Sequence, residues 1–125
     1  DRSDVDPRDI DHVSAHGSST VQNDRCETTA IKRTLGDHAY EVPVTSVKSM
    51  IGHPLSAAST IELVVCAKSF QENFLPPTAN YEDFDPECDL NYVPGSGVEW
   101  RGTSVLKQAS GFGGLHAAMT LHAMG

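Results

Sequence analysis

Ile10-Asp11-His12-Val13-Ser14-Ala15-His16-Gly17-Ser18-Ser19-Thr20 passes directly from an apolar, alternating run into glycine and small hydroxyl residues. The alternation over Ile10–Ala15 predicts a short strand, with Ile10 and His12 on one face and Val13 and Ala15 on the other. Gly17–Thr20 reads as a polar loop. Helix signals follow at once. Asp24 with Glu27 three residues later makes a capping box, Cys26, Ala30 and Ile31 form a buried stripe, and Gly36 stops the run after Leu35. Lys32 and Arg33 fall near the C-terminal end, where the helix dipole favours cations.

The same alternation of elements continues outward. Val42–Val47 is rich in β-branched residues and reads as a second strand. A second helix starts about Pro54 and runs to Phe70, apolar on nearly every side until Lys68, as a helix buried between layers would be. Phe74–Pro94, with Pro76-Pro77 and Asp85-Pro86, reads as irregular with short extended pieces. Ser104–Ser110 is a strand running into the turn Gly111-Phe112-Gly113-Gly114, and Leu115–Met124 is the last strand. Strand, helix, strand, helix and two strands define an α/β fold.

Composition narrows the function. The chain has 125 residues with 9 Lys plus Arg and 17 Asp plus Glu, a net charge of −8. That length suits one domain with a real core. The acidic balance argues against nucleic acid and against an anionic membrane surface. The longest apolar run, Leu63–Ala67, is far too short to span a bilayer. Cys26, Cys66 and Cys88 are odd in number and widely spaced, which disfavours a disulfide framework or a thiolate zinc site and makes a reducing cytosol the default. The first residue is Asp1 rather than Met, so the chain reads as a piece of something longer.

Two histidines stand where a strand gives way to a loop or helix: His16 in the stretch above, and His53 in Lys48-Ser49-Met50-Ile51-Gly52-His53-Pro54. The carboxyl ends of strands are where ligands collect in α/β sheets. Two imidazoles converging there could donate hydrogen bonds to a carbonyl that becomes an enolate or oxyanion. His12, His38, His116 and His122 read as surface or core residues. No metal is expected, because His12 and His16, four apart, share a face only on a helix. Glu62 interrupts an apolar helix and needs a partner, for which Lys48 is the candidate. Glu27 reads as a cap. The glycines of 111–114 lack the order of a phosphate cradle and read as a tight turn. Cys26 and Cys66 look like helix core residues and Cys88 a loop residue, so no nucleophile is evident.

Taken together, these stretches resemble the C-terminal part of a β-ketoacyl synthase of the thiolase-like superfamily. Val13–Thr20, Asn23-Asp24-Arg25-Cys26-Glu27-Thr28, Val47–His53, Pro76-Pro77-Thr78-Ala79-Asn80-Tyr81, the run from Asp85 to Pro94 and Ser110–Gly114 carry the likeness from about Asp6 to Met124. It is greatest to the ketosynthase α subunits of bacterial type II (aromatic) polyketide synthases, with type II fatty-acid synthases close behind. The resemblance implies the C-terminal half of a layered αβαβα fold, its long helix sandwiched between sheets and its apolar surface exposed when alone.

It also implies a chemistry, decarboxylative Claisen condensation with malonyl carried on acyl carrier protein. His16 and His53 match the two histidines that bind the malonyl thioester, and Lys48 and Glu62 match a supporting ion pair. Ser18 and Thr20 match hydroxyls that bond the phosphopantetheine arm, and Phe112 matches a gatekeeping aromatic whose backbone N–H serves an oxyanion hole. Asp24 and Glu27 are possible supporting residues. No cofactor is implied for this chain, since the substrates ride on the carrier's phosphopantetheine. The implied partners are an N-terminal ketosynthase half with the nucleophilic cysteine, a chain-length factor or second ketosynthase subunit, and acyl carrier protein, with Lys32, Arg33 and Arg101 as local cations for the last. Ser56 and Ser59 stand where the family has glycines. A chain-length-factor-like subunit and a ketosynthase-derived decarboxylase are the alternatives, the former ranked lower because it typically lacks the two histidines.

Overall fold

The computed structural model describes residues 4–124, so the first three residues of the charged N-terminal stretch lie outside it. Its centre is a four-stranded sheet built from β1 (His12–Ser14), β2 (Val44–Thr45), β5 (Ser104–Gly111) and β6 (Leu115–His122), in the order β2-β1-β5-β6. β1 is parallel to both neighbours, and β5 and β6 form an antiparallel hairpin through the glycine turn. A small antiparallel pair, β3 (Phe74–Leu75) with β4 (Val98–Glu99), stands apart.

Helices cover the sheet on two sides. α1 (Val21–Leu35) brings Ile31 and Leu35 into a core with Ile10, Val13, Ala15, Val44 and Leu106. α3 (Ala58–Glu72) brings Cys66 into a second core with Leu75, Trp100 and Val105. Val105 and Leu106 are neighbours on one strand, whose side chains point to opposite faces, so the two cores lie on opposite faces. A short helix, α2 (Lys48–Ile51), links β2 to the loop that carries His53.

The expected elements are present, with local corrections. Asp24 and Glu27 do not cap α1; the helix starts a turn earlier, with the Thr20 hydroxyl accepting the Asn23 N–H. Of the expected stripe only Ile31 is buried: the inward face of α1 runs through Thr28, Ile31 and Leu35, three and four residues apart, which leaves Cys26 and Ala30 exposed. Ile10 joins Val13 and Ala15 rather than His12, since it precedes the strand and escapes its alternation. The strand expected over Val42–Val47 shortens to Val44–Thr45 as the chain turns into α2. Pro54 precedes a single 3₁₀ turn, Leu55–Ala57, and the α-helix begins at Ala58. α3 is buried on one face only, with Ile61 and Val64 exposed on the other, as are Ser56 and Ser59. Phe112, Leu115 and Met119 of the hairpin are exposed too. No helix among the described residues is long and apolar enough to cross a membrane.

His12 is a buried core histidine. Its Nε2 lies 2.9 Å from Thr45 Oγ1, its ring meets Trp100 edge-on at 5.7 Å, and Nδ1 has no hydrogen-bond partner among the described residues. Burial pushes its pKa down to about 3 from 6.5. The folded state therefore refuses a proton that the unfolded chain accepts, and stability falls as pH drops from about 6.5 toward 3, by up to roughly 1.4 kcal/mol per pH unit. His12→Gln in the intact protein should flatten that acid limb in urea unfolding followed from pH 7 to 4. An unchanged slope would show that His12 does not set it.

Candidate active site

His16 sits just past the carboxyl end of β1, and Ser46 and Lys48 just past that of β2, so parallel pairing alone brings the two loops together. The loop around His16 is fixed by backbone demands. Gly17 has φ +47°, and a Cβ there would stand 2.5 Å from the Cβ of Ser46, so only glycine fits.

The peptide groups of His16 are held from several sides. Its N–H donates to Glu27 Oε1 at 2.6 Å, and the next N–H, of Gly17, to Glu27 Oε2 at 2.8 Å. Its carbonyl accepts from Lys48 Nζ at 2.6 Å and from Ser46 Oγ at 3.3 Å. Glu27 is thus a loop anchor rather than a helix cap. Its interaction with the loop was not legible, because both partners are backbone groups and leave no side-chain signature.

Lys48 is anchored in turn by Glu62 of α3, and Glu62 has a second cation that sequence reasoning missed. Lys107 Nζ of β5 lies 2.7 Å from Glu62 Oε2, while Lys48 bonds Oε1. The three side chains are only 3–4% exposed. A lysine within the fully buried strand start Ser104-Val105-Leu106-Lys107, next to two apolar residues, was the signal that could have found it.

The ring of His53 stands 5.3 Å from that of His16, nearly perpendicular at 74°. The Leu55 N–H donates to His53 Nδ1 at 3.0 Å, so a neutral His53 carries its proton on Nε2 and presents that N–H as donor. His16 is buried, and its pKa is held below the ordinary histidine value first by desolvation, then by the Lys48 cation and by His53. Two imidazoles at contact distance, one kept neutral and one of fixed tautomer, can both donate to a single oxygen.

The remaining expected residues divide. A cavity of about 530 Å³ opens beside His53, lined by Ser18, Asp24, Glu27, Lys48 and Tyr92 among others. His16 itself is not among the lining residues, though its ring lies against that of His53, which is. Thr20 is occupied as the α1 cap and also contacts Ser18, Oγ to Oγ1 at 3.3 Å. Phe112, 94% exposed at the hairpin tip, does not line the cavity. Lys32 is paired with Asp89, and Arg101 with Glu99 at 2.9 Å.

A fold with two helix-flanked parallel strands, and paired histidines at their carboxyl ends over a buried lysine–glutamate pair, defines a class. The chain belongs to the family described as beta-ketoacyl synthase, C-terminal domain, whose model matches residues 1–82. It is 55% identical over 113 residues to the tetracenomycin polyketide synthase ketoacyl synthase alpha subunit of Streptomyces glaucescens, covering 90% of this chain and 26% of that one. It is 51% identical over 121 residues to the actinorhodin polyketide putative beta-ketoacyl synthase 1 of Streptomyces coelicolor, covering 97% and 26%. Among solved structures it matches a type II polyketide synthase acyl-carrier protein in complex with its ketosynthase bound to the hexaketide. That match has a TM-score of 0.95 at 42% identity, over 97% of this chain and 30% of that one. The thiolase-like ketosynthase fold is therefore established, and the chain spans less than a third of the length of these relatives.

Removing Glu62 tests the buried cluster. Glu62→Leu strands two ammonium groups in the interior and should cost about 3–5 kcal/mol, whereas Lys48→Met leaves Glu62 paired with Lys107 and should cost clearly less. Urea unfolding of the two variants in the intact protein measures the difference, and equal costs would contradict the shared-carboxylate arrangement.

Proposed function

We propose that this chain is the C-terminal half-domain of a β-ketoacyl-[acyl carrier protein] synthase, an acyltransferase acting in polyketide synthesis. In this reading it works with an N-terminal half that carries the nucleophilic cysteine. The observation that carries the reading is the pairing of His16 and His53 at 5.3 Å on a backbone held by Glu27 and Lys48. Half-or-better identity to polyketide ketosynthase α subunits supports it.

The chemistry follows from two donors aimed at one thioester carbonyl. A malonyl thioester delivered on a carrier's phosphopantetheine arm binds with its carbonyl oxygen between the two imidazole N–H groups. The bond from the α-carbon to the carboxylate breaks, CO₂ leaves, and the electron pair stays as an enolate whose oxygen keeps both hydrogen bonds. The enolate carbon then attacks the acyl thioester held on the cysteine. A carbon–carbon bond forms, the carbon–sulfur bond breaks, and the departing thiolate takes up a proton. Donors that strengthen as negative charge develops lower this barrier selectively.

Each histidine has its own support. His53 relies on the Leu55 N–H for its tautomer, and His16 on burial and on Lys48 for neutrality. In this reading Ser18, which lines the cavity, bonds the arm, while Thr20 contributes by capping α1 and fixing that loop. Acyl carrier protein and a second ketosynthase-type subunit are the partners in this reading. One solved relative is a ketosynthase in complex with its carrier, and another, with a TM-score of 0.91 at 37% identity, is the ishigamide ketosynthase/chain length factor.

In the complete synthase, His16→Ala or His53→Ala should lower malonyl-carrier decarboxylation by roughly a hundredfold or more, as loss of one oxyanion donor does. Near-normal CO₂ release from either variant would refute the enolate role. Acyl transfer from carrier to the cysteine should survive both changes far better than decarboxylation, and equal loss of the two steps would argue for a general defect instead.

A further inference from the structure

Glu62 needs one buried cation and has two. Lys48 takes Oε1 and also donates to the His16 carbonyl. Lys107 forms an ion pair with Oε2 at 2.7 Å and donates its hydrogen bond to the Gln108 carbonyl. Each ammonium thus has one carboxylate oxygen and one backbone carbonyl. One carboxylate between two ammonium groups leaves the cluster with a net positive charge in a region 3–4% exposed.

Such a charge is costly and stability does not demand it. With an apolar residue at 107, Glu62 would still be neutralised by Lys48 and the interior would hold no excess charge. The place of that excess is informative. Lys107 pairs in register with Ser14 on β1, two residues before His16, on the sheet face that packs against α3. The groups facing His16 come from every packed element: Lys48 on α2, His53 on the loop after it, Glu62 on α3 and Lys107 on β5, with Glu27 of α1 on its backbone. Glu62 favours a protonated His16; Lys48 outweighs it, and Lys107 adds a smaller push in the same direction as Lys48. The Coulombic effects on His16 have those signs, behind the larger effect of burial.

We propose that Lys107 is a positioning residue of the candidate active site, converting the Lys48–Glu62 pair into a cationic triad that keeps the His16 imidazole neutral at working pH. This deepens the condensing-enzyme reading and rests on it for its catalytic consequence. A neutral His16 donates its single N–H to the thioester oxygen and leaves the substrate carboxylate free of a competing imidazolium. Protonated, it would form an ion pair with that carboxylate and hold back the loss of CO₂.

Lys107→Met in the complete synthase tests this, because it removes the excess charge while Glu62 keeps Lys48. His16 titration, followed by NMR of labelled imidazole, should move upward by roughly half a pH unit, a modest fraction of what a neighbouring buried charge can produce. The acid limb of the decarboxylation profile should rise by the same amount, with activity near pH 8 changed much less. Lys107→Gln, polar and neutral, should shift both readouts in the same way if the methionine variant does not fold. A folded variant with unmoved His16 titration overturns the proposal and leaves Lys107 a purely structural ion-pair partner. A shifted titration in a protein that never decarboxylates malonyl-carrier would instead refute the condensing-enzyme reading while upholding the triad.

Discussion

The peptide of His16 is gripped from both faces of the sheet, and the candidate site depends on that grip. From one side, Glu27 of α1 accepts its N–H; from the other, Lys48 donates to its carbonyl and is steadied by Glu62 of α3. A single loop residue therefore joins two helices that share no core. Charge-assisted hydrogen bonds at both ends leave the backbone little freedom, which is what a side chain needs if its N–H is to meet one oxygen repeatedly.

That arrangement explains the charge buried in α3. The helix is apolar enough to serve as core, and a carboxylate within it would be untenable alone. Lys48 and Lys107 arrive from α2 and β5, so the carboxylate ties α3 to its neighbour in sequence and to a distant strand. The outward face of α3 has no comparable partner among the described residues: Ile61 and Val64 remain open there, as does the hairpin tip with Phe112. In the layered fold that the relatives share, these surfaces fit a chain that spans less than a third of their length.

Much of this was legible before any coordinates. The strand within Ile10–Ala15, the stop of α1 at Gly36, the hairpin around Gly111–Gly114, and His16, His53, Lys48 and Glu62 as a group were read from alternation, breakers and motif resemblance. The start of α1 was misread for a local reason. Thr20 and Asp24 are both acceptable caps with polar residues after them, and local chemistry does not choose between them; packing of Ile31 and Leu35 on the sheet does. α3, apolar on nearly every side, suits a helix sandwiched between layers, and its face with Ile61 and Val64 is exposed in this chain alone, as the resemblance implies.

The sequence by itself determined the order of elements, the family, and the residue types at the ends of the strands. These depend on local periodicity, glycine and proline positions, and short motifs, all of which survive in one dimension. Tertiary structure alone decided that Glu27 anchors the His16 loop instead of capping a helix. It alone decided that Thr20 caps instead, and that Lys107 shares the carboxylate of Glu62. Those assignments join residues through backbone groups or across 45 positions of chain, and only folding places such atoms within hydrogen-bond reach.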